Sequence, residues 1–146
     1  MTGFDPITPF TLIRGIGLAG PTNPAIYLLI CGQGTADGVE NDLLGEIRAQ
    51  LGDPVQAETV SELLSRSLPF SRDSSTRLIR IDRWLPDLVD SLDKHSALLV
   101  QDGSQLLFLA EEQTAEQLLK AAPNLRNRLA GVFHIEPEDL SGGGTV

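Results

Sequence analysis

One cysteine, Cys31, is all the thiol that this chain of 146 residues carries. It cannot form an internal disulfide, so a reducing cytoplasm is the expected compartment. Aromatic residues make up only 5% of the chain, with a single Trp and a single Tyr, so Leu, Ile, Val and Ala must fill the core. Basic residues are also scarce: 11 Lys and Arg stand against 20 Asp and Glu, for a formal charge of −9. A general binder of nucleic acid or of anionic membrane needs the opposite surplus, and both partner classes are expected to be absent. The longest apolar run, Ile26–Cys31, falls far short of a bilayer span. The first ten residues hold Asp5, Pro6 and Pro9 and no basic stretch, so no signal peptide is expected.

What remains is the composition of a folded domain, 41% hydrophobic and 21% charged, of a length that suits one core. Residues 1–24, punctuated by prolines and glycines, read as an N-terminal arm in which Phe10–Arg14 forms a short helix or strand packed on the domain. Residues 25–140 read as a single α/β domain, and Ser141-Gly-Gly-Gly opens a flexible tail over 141–146.

The organising stretch is Ala25–Gly52. Ile26–Cys31 has the length and branched content of a buried strand, and a loop with Gly32, Gly34 and Gly38 follows it. Leu43, Leu44, Ile47 and Leu51 then share one helical face, with Gly52 as C-cap. Thr59-Val-Ser-Glu62 has capping-box spacing and opens a helix through Val60, Leu63, Leu64 and Leu68. Arg77–Ile81 reads as a second strand and Trp84–His95 as a helix, with Pro86 tolerated in its first turn. Ala97–Val100 reads as a third strand ending at Asp102-Gly103. The next segment has two readings. The Asp-Gly pair signals a hairpin, with Leu106–Leu109 antiparallel to Ala97–Val100. Alternatively Ser104 caps a helix to about Ala121, which the composition of 111–120 favours. Asn124–Leu129 reads as helix and Val132–Ile135 as a final strand. Strands alternating with helices predict an α/β layered domain with a central, mostly parallel sheet.

Strand, glycine loop and helix is the layout that holds phosphate at a helix N-terminus. The order of these pieces resembles a P-loop NTPase domain of the AAA or STAND kind. In that resemblance Gly32–Gly38 stands where a Walker A loop would be, and Asp102 where Walker B would be. Pro123-Asn-Leu-Arg-Asn-Arg-Leu129, followed by Glu136-Pro137, looks like the arginine-bearing segment late in AAA domains. The motifs are not intact. Walker A needs Gly-Lys-Ser/Thr after its variable residues, because the lysine neutralises phosphate and the hydroxyl binds Mg²⁺. Counting from either glycine places Val39 and Glu40, or Gly38 and Val39, at those positions, and the next basic residue is Arg48. Asp37, Glu40 and Asp42 suit the helix dipole and repel phosphate. After Asp102 comes Gly103 instead of a second acid. The resemblance therefore implies an inactivated NTPase-like core, similar to inactive STAND modules of bacterial signalling and defence proteins. Such modules serve as interaction scaffolds, which implies protein partners, no cofactor and no catalysis. It also leaves a rival, a nucleotide-binding ATPase subunit that supplies Arg126 or Arg128 to a neighbour's site.

Other candidates each have an ordinary reading. Cys31 would need a base to act as nucleophile in a hydrolase, and only His95 and His134 exist. As a buried structural cysteine it needs none. The three glycines could cradle an anion, or simply make a tight turn needing positive φ. Asp102 alone specifies no metal. Arg66, Arg72, Arg77, Arg80 and Arg83 concentrate positive charge in an acidic chain, either as a docking patch for an acidic partner or as a face paired with the chain's own carboxylates. Trp84 beside Arg83 would anchor an interface, or else pack the second strand on its helix. Homo- or hetero-oligomeric assembly is left open.

Overall fold

The computed structural model describes residues 7–19, 25–52, 57–60, 62, 76–81, 86–94 and 105–136. In chain order the elements are α1 (Pro9–Ala19), β1 (Ala25–Cys31), α2 (Ala36–Glu46), a π-helical turn (Ile47–Leu51), β2 (Glu58–Thr59) and β3 (Thr76–Ile81). Then come α3 (Pro86–Lys94), β4 (Gln105–Glu111), α4 (Glu112–Ala121), α5 (Pro123–Arg128) and β5 (Leu129–Ile135). The strands form one sheet in the order β2-β3-β4-β1-β5, and every pairing is parallel. Ile7 adds one parallel bridge beside Ile135, donating to the His134 carbonyl at 2.8 Å and accepting from the Glu136 N–H at 3.0 Å.

A parallel sheet is covered on both faces, so its central strands must be apolar at successive positions. β1 and β4 meet that demand: in β4 every residue from Gln105 to Ala110 is buried. One face carries α3, α4 and α5 on Ile26, Leu28, Ile79, Leu106 and Phe108. The other carries α1 and α2 on Leu29, Leu78, Leu107 and Leu109. The result is the α/β layered architecture with a central parallel sheet.

The segment after residue 104 corrects the helical reading. The helix begins only at Glu112, and Gln105–Glu111 is a strand. Leu106, Leu107, Phe108 and Leu109 are each fully buried, which four consecutive positions achieve in a two-sided strand and not on one face of a helix. Nor is it the hairpin arm of the other reading by any pairing seen here, since both its partners, β1 and β3, run parallel to it. The expected strand at Ala97–Val100 and the Asp102-Gly103 turn lie outside the described residues.

Of the two readings of Phe10–Arg14 as a short helix or strand packed on the domain, the structure has the helix, longer than expected. Phe10–Arg14 belongs to α1, whose Leu12, Ile13 and Ile16 sit in the core beneath α2. The local punctuation is as expected elsewhere. Gly52 takes φ +74° and donates to the Arg48 carbonyl at 3.2 Å, a left-handed cap ending the π turn. The Thr59 and Glu62 side chains serve each other's backbone N–H groups at 3.0 and 2.8 Å, a reciprocal capping box. Pro86 is the first residue of α3. One cap crosses between helices: Asp93 of α3 accepts from the Leu125 N–H at 2.9 Å and from the Asn124 amide at 3.0 Å, closing the start of α5.

Candidate functional site

β1 and β4 are neighbours, yet β1 leads into α2 on one face and β4 into α4 on the other. In open α/β sheets, the crevice outside the strand ends at such a reversal is where ligands bind. The glycine loop sits at this point, so its geometry decides what the crevice can hold.

The loop is shorter than its sequence suggested. α2 starts at Ala36, so Gly38 is a helical residue and the turn is Gly32-Gln33-Gly34-Thr35 alone. The Thr35 N–H donates to the Gly32 carbonyl at 3.0 Å, and Gly34 takes φ +81° while among the described residues no non-glycine has positive φ. That is the pattern of a type II turn, with glycine at its third position. Of the three glycines, only Gly34 is required by backbone conformation. The Thr35 hydroxyl turns back to the Gly32 carbonyl at 2.7 Å and does not cap the helix. It is thus already donating within the loop.

The decisive contact comes from the neighbouring strand. The Gly34 N–H, the kind of backbone donor that receives phosphate in a glycine loop, donates instead to the Glu111 carboxylate at 2.9 Å. Glu111 is the last residue of β4, so the bond bridges the crevice at its mouth. Beside it, Arg80 of β3 reaches α2, meeting Glu40 at 2.6 Å and Asp37 at 3.0 Å. Arg80 is largely buried with Glu40, whereas Asp37 is almost fully exposed, so the Glu40 contact is the stronger of the two. The acids that open α2 are held by a cation of the protein's own sheet. Among the described residues in these contacts, Asp37, Glu40 and Glu111 supply three carboxylates to the single guanidinium of Arg80.

Cys31 ends β1 under this loop and is buried, its thiol pointing at the Ala110 carbonyl at 3.7 Å. Burial pushes the thiol above its ordinary value of 9.0, the nearby Glu111 charge adds to this, and contacts with Thr35 and Arg80 oppose it. A raised thiol is a poor nucleophile. Iodoacetamide should therefore label Cys31 slowly in native buffer and quickly in urea; fast native labelling would show the thiol to be reachable. The linked stability is fully present below pH 9.0 and is lost as pH rises through the raised value, since only the unfolded chain then ionises freely. Cys31→Ala should flatten that alkaline limb of the stability curve.

No family model, curated protein or solved structure matched the chain.

The remaining candidates are dispersed. Arg77 lies near Glu58 at 3.9 Å with both side chains largely buried, so Arg77 and Arg80 both face acids of the chain. Arg126 and Arg128 are exposed on α5, and Arg126 also reaches the Leu119 carbonyl at 3.4 Å. His134, in edge strand β5, is half-buried. Arg66, Arg72, Arg83, Trp84, His95 and Asp102 lie outside the described residues. Among the described residues no three His, Cys, Asp or Glu side chains gather as a metal site requires, and no helix is long and apolar enough to cross a membrane.

Glu111 is the residue that the sequence reading missed. Its signal was the acid closing the apolar run Leu106–Ala110, which acquires meaning only once that run is a strand beside β1.

Proposed function

We propose that this chain is a non-catalytic interaction or regulatory domain that acts by protein–protein contact on an inactivated NTPase-like core. In this reading it is a cytoplasmic module of the kind found in bacterial signalling and defence proteins. The observation that carries it is the Glu111 carboxylate on the Gly34 N–H, at the place where a phosphate would need that donor. A triphosphate would have to displace one carboxylate and approach two more, with no lysine in the loop to attract it. An ordered α/β scaffold with such a crevice keeps its surfaces for other macromolecules.

Isothermal titration tests this directly. Neither Mg-ATP nor Mg-GTP should give saturable heat, and binding at low micromolar affinity would overturn the proposal. Glu111→Ala should not restore binding, because vacating one N–H supplies no positive charge. If that variant did bind nucleotide, the carboxylate alone would be the block.

A second reading rests on the exposed Arg126 and Arg128 of α5. There the chain would lend an arginine to the active site of a co-assembled ATPase, a contribution worth about 10³–10⁵ in kcat where it operates. Arg126→Ala and Arg128→Ala would then sharply lower the partner's turnover; unchanged turnover removes this reading.

A further inference from the structure

No further inference is drawn: the strongest candidate, the outer edge of β5 from Leu129 to Phe133, where among the described residues only Ile7 comes alongside and only at Ile135, carries nothing, because nothing in the structure shows what covers the rest of that edge.

Discussion

Phe108→Ala should cost about 3–5 kcal/mol of folding stability, the usual range for deleting a buried aromatic ring. Phe108 is fully buried in β4, between β1 and β3, with Leu28 and Ile79 as its register partners on those strands. The helices of one face close over it. The parallel strands on either side resist collapse, so the upper half of the range is expected. A domain's whole stability is about 5–15 kcal/mol, so the variant should be close to unfolding on mild heating. Urea denaturation followed by far-ultraviolet circular dichroism would measure it, as a lower midpoint with an unchanged slope. A loss below about 1 kcal/mol would mean that the ring is not in the centre of the sheet.

Ile13→Ala should be nearly as damaging, at about 2–5 kcal/mol. The expectation separates two views of the first residues. In an arm loosely laid on the domain, such a change would fall within about 0.5 kcal/mol, as surface substitutions do. In the structure Ile13 is fully buried, flanked by Leu12 and Ile16, and packed in the cluster that holds Val39, Leu43 and Ile47 of the next helical segment. The Gln50 amide also ties α1 to α2, donating to the Phe10 carbonyl at 3.1 Å and to Glu46 at 2.8 Å. The same urea experiment decides between them, and a near-zero effect would return α1 to the periphery.

How much of this was readable from residues alone differs by element. Ile26–Cys31 and Val132–Ile135 were legible as strands because their runs are short and bounded by glycine or proline signals. However, β5 starts three residues earlier, at Leu129, which reads in sequence as the end of the preceding helix. Gly52 and the Thr59–Glu62 box were legible because capping chemistry is local and needs no tertiary context. Gln105–Glu111 was legible only as the less favoured of two readings, and then as an antiparallel arm, since a continuous apolar run has no period and the helical residues after it extended the pattern backwards. Gly38 misled for a related reason: glycine suggests a loop, but an exposed helical position tolerates it at about 1 kcal/mol. The arginines were ambiguous in principle. Whether Arg80 faces solvent or α2 depends on which helix covers β3, and nothing near residue 80 encodes that. The Glu111–Gly34 bond was the least accessible, because it joins residues distant in sequence through the order of the strands.

That order also fixes when the fold can form. β1 leaves the ribosome well before both strands that flank it, β4 and β5, which lie beyond residue 104. Until those residues have been made, the Ile26–Cys31 run has no hydrogen-bonding neighbours and must wait as an uncovered apolar strand. Such non-local pairing makes folding slow and leaves the nascent chain open to aggregation. The domain is therefore expected to depend on chaperone protection during synthesis, with β1 as the segment that a chaperone holds.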